Sequence, residues 1–157
     1  MDNIITELLS VLETALTTTY KKYYYGESPF PVQSYLPFLE TVPSTTSVTN
    51  RGTGGCMDNT FAVTINIKDT LKKYLKENTN VEIDNYMQTA VKRMEERETN
   101  GVPKSATVLG VLKDNLKLGG KANILDDFEI SYDILPLGES YIIISSVTFN
   151  VKLITPN

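Results

Sequence analysis

Apolar residues in the first segment of the chain recur at spacings of three and four positions. Such spacing places them on one side of a helix, where they can pack against a core. The pattern predicts an amphipathic helix from Asn3 to about Tyr25, ended by Gly26 and Pro29. Its apolar side consists of Ile4, Ile5, Leu8, Leu9, Val11, Leu12, Ala15 and Leu16.

Strict alternation of apolar and polar residues predicts three strands farther along the chain. Residues 60–68 read TFAVTINIK, residues 127–134 read DFEISYDI, and residues 140–154 read SYIIISSVTFNVKLI. Successive side chains of a strand point to opposite faces of a sheet, so each segment has one dry and one wet face. The last two segments flank a turn at 136–139 and predict an antiparallel hairpin. A fourth strand, over Tyr35–Val42, is bounded by prolines and is predicted at an edge of the sheet.

Further helices are predicted between these strands. Residues 81–98 carry apolar residues at helical spacing, and residues 105–120 predict a shorter helix that Ser105 can cap. Residues 69–79 are charged and can also form a helix. The order of elements predicts a single α+β domain over residues 1–157, a two-layer fold with an antiparallel sheet of about four strands and helices packed on one face.

The glycine-rich segment NRGTGGCMDN, at residues 50–59, lies within a long hydrophilic loop predicted over residues 43–59. A phosphate-binding loop of the Walker A type needs a lysine after its last glycine, whereas here Cys56 follows Gly55. A dinucleotide fingerprint needs a helix after its glycines, and this segment lies between two predicted strands. With no histidine in the chain, only Arg51 or a distant lysine could activate the thiol of Cys56. The segment is therefore predicted to be a pliable loop that contacts another protein.

The composition argues against most enzyme chemistry. The 157 residues include no histidine and one cysteine, and the formal net charge is −4. The absence of histidine removes the commonest general base and transition-metal ligand, and the negative charge provides no field that attracts nucleic acid. No stretch approaches the roughly 20 apolar residues of a membrane span. The sequence predicts no catalytic residue, no cofactor, no metal and no membrane contact.

Two other clusters of polar residues have simple structural explanations. Asp126 and Asp127 are adjacent, so they would point to opposite faces of a strand, and their spacing does not match a calcium loop. The KKYYYG run at residues 21–26 mixes basic and aromatic residues, as single-strand binders do. It is one short patch on an acidic chain, and its tyrosines are expected to pack against the sheet or a neighbour.

A leading amphipathic helix (NIITELLSVLETAL) is followed by a proline-broken edge segment (SYLPFLETVP) and a long hydrophilic loop (STTSVTNRGTGGCMDN). An alternating strand (TFAVTINIK), a helix (NYMQTAVKRMEE) and the hairpin DFEISYDILPLGESYIIISSVTFNVKL complete the pattern. Over nearly all of the chain, this layout resembles the tail terminator proteins of long-tailed bacteriophages. The resemblance is one of pattern, because that family has no catalytic signature.

The resemblance implies a structural virion protein that is not an enzyme. It implies a homohexameric ring on the last ring of the tail tube, at the head-proximal end of the tail, assembled in the host cytoplasm. Its partners would be other copies of the chain, the tail tube protein and a head-completion or neck protein, with DNA only as passing cargo in the lumen. The tube would be contacted in part by the loop at 43–59. The residues expected to make this contact are Thr49, Asn50, Arg51, Gly52, Thr53, Gly54, Gly55 and Met57.

Other functions fit parts of the same pattern. One is a different head–tail connector or neck protein, since such proteins share similar features. Another is a non-viral, monomeric binding or adaptor domain that uses the same loop as a clamp. An enzyme with a carboxylate pair is the function that the sequence supports least.

Overall fold

A computed structural model describes the chain over residues 1–28, 35–50, 56–71, 79–137 and 140–156. Within these stretches, the elements are α1 (Asp2–Ala15), β1 (Lys22–Tyr25), β2 (Phe38–Asn50), β3 (Cys56–Leu71), α2 (Thr79–Glu95), α3 (Val108–Asp114), β4 (Ile124–Leu137) and β5 (Ser140–Pro156). The strands form one sheet in the order β1-β2-β3-β5-β4. The β1–β2 pair is parallel, and the other neighbours are antiparallel. The predicted α+β fold is confirmed. Among the described residues, however, the sheet has five strands and not about four, and it is mixed and not purely antiparallel.

The additional strand is β1, which the sequence predicted as the end of the first helix. That helix stops at Ala15, and the backbone N–H of Leu16 closes it by donating to the Leu12 carbonyl. The threonines at 17–19 then interrupt the helix, because β-branched residues are poor helix formers. The Tyr23 hydroxyl donates to the Leu16 carbonyl at 2.7 Å, which ties β1 to the end of α1. The strand predicted over Tyr35–Val42 was placed at an edge of the sheet. This is wrong for Phe38–Thr41 of β2, because β1 pairs with these residues.

The predicted loop at 43–59 is largely paired strand. β2 continues to Asn50 and β3 begins at Cys56, so the described residues of this region belong to an antiparallel hairpin. Residues 51–55 lie outside the described residues. The polar composition concealed the strands, although threonine and valine favour extended backbone. Residues 69–71 likewise belong to β3 and not to a helix, and residues 72–78 lie outside the described residues.

The two later helices form where the sequence predicted them, with shorter bounds. α2 covers most of the predicted 81–98 segment. α3 is capped by Thr107 and not by Ser105, because the Thr107 hydroxyl accepts from the Gly110 N–H at 3.0 Å. None of the helices in the described stretches is long and apolar enough to cross a membrane.

The alternation predicted in the strands separates a dry face from a wet face. Val63, Ile65 and Ile67 of β3 are buried. They belong to one hydrophobic cluster, together with residues of α1, α2, α3, β2, β4 and β5. The intervening residues carry hydrogen bonds on the other face, as in the 2.9 Å contact between the hydroxyls of Thr64 and Thr148. The principal cluster contains Ile4, Ile5, Leu8, Leu12, Leu16, Tyr20, Leu39, Val63, Ile65, Ile67, Met94, Val108, Val111, Leu112, Leu118, Ala122, Leu125, Val147, Phe149 and Val151.

A buried ion pair lies on the face of β2 and β3 opposite to this cluster. The Lys68 ammonium lies 3.1 Å and 3.0 Å from the two carboxylate oxygens of Glu40, and the side chains are only 8% and 0% exposed. The backbone N–H of Ser28 donates to the same carboxylate at 2.7 Å. Since Ser28 lies in the connection from β1 to β2, this carboxylate ties the connection to the sheet.

Replacing Lys68 with methionine would leave the Glu40 carboxylate buried without its cation. We expect Lys68→Met to lower the free energy of unfolding by about 3–5 kcal/mol. A second change, Glu40→Gln, removes the buried charge and should recover most of that loss. The exposed pair of Lys104 and Glu96 provides the control, because Lys104→Met should leave stability nearly unchanged. Urea unfolding measures all three variants, and an equal loss in the single and double variants would contradict the expectation.

Burial raises the pKa of the Tyr23 phenol from 10.0 to about 12. Because the folded pKa lies above the unfolded one, the contribution of this group is fully present below pH 10 and is lost as pH rises towards 12. We expect the free energy of unfolding to fall across this window. The fall should be shallower in Tyr23→Phe, which has no phenol to titrate there. Urea unfolding at a series of pH values tests this, and parallel curves for the two proteins would refute it.

Candidate contact arm

The long strands extend past the hydrophobic core. The β2–β3 pairing continues to the pair of Asn50 with Met57, and the β3–β5 pairing continues to the pair of Cys56 with Pro156. The six side chains at residues 44–49 are all exposed, and Val48 is 57% exposed. We name this three-stranded extension the contact arm and define it as residues 44–50, 56–60 and 152–156.

A β-bulge marks the base of the contact arm. Between Pro43 and Thr46 the strand β2 advances by three residues, while its partners on β3, Val63 and Phe61, are two residues apart. Pro43 has no N–H to donate to the ladder, which suits a position beside a bulge. A bulge bends its strand and increases the local twist. The arm therefore starts at a bend in β2.

The contact arm has an unpaired strand edge on its β2 side. β1 pairs with β2 only from Phe38 to Thr41. Among the described residues, no strand pairs with the other side of residues 44–50. An unpaired strand edge presents a row of backbone N–H and C=O groups that can accept another strand. The backbone of the arm is therefore itself a potential contact surface.

The residues predicted to contact a partner divide into two groups. Thr49 and Asn50 lie at the end of β2 and Met57 lies at the start of β3, so these three belong to the contact arm. Arg51, Gly52, Thr53, Gly54 and Gly55 lie outside the described residues. Residues 44–48 lie within the loop predicted over 43–59 but were not among the residues named for the contact, and they form strand and not loop. The density of threonine and valine was the available signal for a strand.

A hollow of about 290 Å³ lies at the base of the contact arm. Next to it, the Lys152 ammonium donates to the Asp126 carboxylate at 2.5 Å, and this hydrogen bond raises the pKa of Lys152 above its ordinary value. The Asn150 amide donates to the Asp127 carboxylate at 3.1 Å. The adjacent aspartates thus have protein partners. The hollow is lined by Thr49, Asp58, Thr60, Asn123, Ile124, Lys152 and Leu153.

A second concave surface, of about 410 Å³, lies where α3 and β4 meet the turn that follows α2. Phe128 and Ile130 of β4 and Leu109 of α3 provide apolar side chains there, and the cations of Arg97 and Lys113 lie among the lining residues. Its chemistry suits an extended segment that carries both apolar and acidic groups. We call it the β4 groove.

Two of the three tyrosines of the KKYYYG run, Tyr23 and Tyr24, pack within the protein, as expected, whereas Tyr25 is 50% exposed. Tyr23 contacts the hydrophobic cluster, and the ring of Tyr24 meets that of Phe38 edge-to-face, with centroids 5.3 Å apart. The Tyr25 hydroxyl donates to the Asp2 carboxylate at 2.7 Å. Within the part of the chain that the structure describes, no group of three or more histidine, cysteine or acidic side chains is placed to hold a metal ion.

Comparisons with known proteins add no assignment to this geometry. No protein-family model matches the chain, and no curated protein matches it significantly.

The exposed side chains of the contact arm should contribute little to folding. Val48 and Val147 allow a matched test, because the first is 57% exposed and the second is fully buried. We expect Val48→Ala to change the free energy of unfolding by less than about 0.5 kcal/mol. Val147→Ala should lower it by about 2 kcal/mol, through lost burial and a cavity. Urea unfolding compares the two, and similar losses would mean that the arm packs against the body.

Proposed function

We propose that this chain is a structural virion protein, a tail terminator that caps the tail tube of a long-tailed bacteriophage and joins the tail to the head or neck. The contact arm is the observation that carries the proposal. A strand hairpin that extends past the core, with exposed side chains at 44–49, contributes little burial to its own domain. It is suited to docking on another subunit. The resemblance in sequence layout supplies the identity of that subunit, the tail tube protein.

In this proposal, six copies form a ring seated on the last ring of the tube. The helices cover one face of each sheet, and the part of the other face around Thr64 and Thr148, away from the buried pair of Glu40 and Lys68, lines a water-filled channel. The hydrogen bonds of Thr64 with Thr148 and of Asn66 with Ser146 support such a face, because they keep it polar and ordered without apolar contacts. DNA passes through the channel as cargo only. A head-completion or neck protein binds the opposite side of the ring.

Residues 51–55, which we call the tip, and the contact arm have separable roles in this proposal. The paired strands of the arm dock on the tube, and their backbone is already ordered before binding. Glycine, at 52, 54 and 55, is the residue with the widest range of backbone conformations.

The β4 groove favours a second candidate, a monomeric binding or adaptor domain. An apolar floor beside the exposed Lys113 suits a partner segment with apolar and acidic groups, without any ring. The Arg97 cation at this groove is already paired with Glu95 at 3.1 Å. Solution mass separates the candidates. Six-fold rings of this chain, seen by electron microscopy at the head-proximal end of tails, support the terminator. A chain that stays monomeric even with the tube protein present supports the adaptor.

Shortening the contact arm should impair capping without unfolding the protein. Ser47 and Thr60 face each other across β2 and β3, so an Asn-Gly turn can join them in place of residues 48–59. We expect tails of abnormal length when this variant replaces the wild-type chain during assembly, as measured by negative-stain electron microscopy.

The matched control replaces residues 51–55 with a glycine-serine segment of the same length, which keeps the arm and changes only the tip. Abnormal tails with both variants assign the contact to the tip. Abnormal tails with the shortened arm alone assign it to the strands. Tails of normal length with a folded, shortened arm would overturn the role of the arm in capping.

A further inference from the structure

Open strand edges run along β1, along β4 and along residues 46–50 of β2, and the first two carry features that discourage pairing with another chain. Among the described residues, 69–71 of β3 and 153–156 of β5 also lack a neighbour on one side, but the first stretch has three residues and begins with Asp69, and the second has four and ends in Pro156. β1 is only four residues long and begins with the exposed Lys22. β4 has a register shift between Asp126 and Glu129, and its Asp133 is exposed. Short length, charge and bulges are the usual means by which proteins block edge-to-edge association.

The third edge, residues 46–50 of β2, has none of these features. Beyond the bulge it reads Thr-Ser-Val-Thr-Asn, with no charge and no proline, and it pairs regularly with β3. The side chains at 46–49 are exposed. Val48 at its centre is an exposed apolar residue on a strand with a free backbone edge. This segment, which we name the free edge, is therefore chemically ready to add a strand.

The comparison of the open strand edges also indicates which strand of another copy of this protein can pair with the free edge. A partner edge must itself be regular, uncharged and long enough to pair. The other open edges are short, charged, bulged or closed by a proline, including 69–71 of β3 and 153–156 of β5. The remaining edge is the free edge of a second copy. Two identical strands that pair antiparallel are related by a two-fold axis, so each contact is made twice and the association closes at two copies. A single unprotected edge thus produces a dimer and not a filament.

We propose that residues 46–50 pair antiparallel with the same residues of a second copy, about a two-fold axis at Val48, so that two contact arms join into one six-stranded sheet. The proposal does not depend on the tail terminator function. A five-residue strand pair buries much less than the roughly 1,200 Å² of a stable complex, so this dimer is weak and forms at high protein concentration.

Cysteine cross-linking tests the geometry directly. In a background in which the single native cysteine is replaced (Cys56→Ser), one cysteine is introduced in turn at positions 46 to 49. Directly opposite residues of an antiparallel pair have Cβ atoms about 4.5–5.5 Å apart, near the separation of about 3.5–4.5 Å in a disulfide. Val48→Cys should therefore form disulfide-linked dimers fastest under mild oxidation. Ser131→Cys, exposed on the blocked edge β4, is the matched control.

A rate that peaks at Val48→Cys, or at one neighbouring position, supports the two-fold pairing and locates its axis. Equal rates at all four positions and at Ser131→Cys would overturn it, because they indicate random collision.

A second measurement does not depend on disulfide chemistry. Sedimentation velocity over rising protein concentration should show a dimer for the wild-type chain, and Val48→Lys should weaken it by at least about tenfold, since two lysines would meet at the axis. Ser131→Lys should have no effect. A wild-type chain that stays monomeric near 1 mM, about the weakest affinity expected, would overturn the proposal. Capping is measured on tails and dimerisation on the isolated chain, so the two proposals can fail separately.

Discussion

The pairing register between β3 and β5 is the constraint on which the rest of the structure depends. It runs without interruption from the pair of Cys56 with Pro156 to the pair of Leu71 with Tyr141. Because side chains alternate between the faces of a sheet, this one register decides which residues enter the core. A slip of one residue would place Val63 on the face opposite to Val147 and bring polar side chains under the helices. The helices can pack only because this ladder presents a continuous apolar face.

The same ladder also explains the contact arm. Sixteen residues of β3 extend over about 50 Å, farther than the hydrophobic cluster reaches along the strand. Past Phe61 the sheet continues mainly on backbone hydrogen bonds and cross-strand contacts, although Leu153 of β5 still packs against the cluster. Separating or exchanging a strand in such a region requires less free energy than in the core. Interaction through the arm is therefore compatible with a stable body.

The fold was predictable from sequence where the pattern was local and amphipathic. The alternation in 60–68 and 140–154 and the stripe before Leu16 each identify an element, because burial on one face repeats at the period of that element. β1 gave no such signal, since four residues are too few to show a period and its partner lies beyond a long connection. In residues 44–49 the side chains on both faces are exposed, so alternation was absent. The ion pair of Glu40 with Lys68 joins residues 28 positions apart, so it could not be predicted from the sequence around either residue.

The two uses proposed for the contact arm are linked through its backbone. A strand edge has one set of free N–H and C=O groups, so the free edge cannot pair with a second copy and with a tube subunit at the same time. If both proposals hold and the tube engages the edge, self-pairing reduces the concentration of chains that can dock, by mass action. This competition is limited, because a five-residue strand pair is expected to bind weakly. A ring that contacts the tube end with six arms at once also gains affinity from multivalency. Under both proposals, the free edge pairs reversibly with a second copy in solution and stably with a tube subunit in the assembled tail.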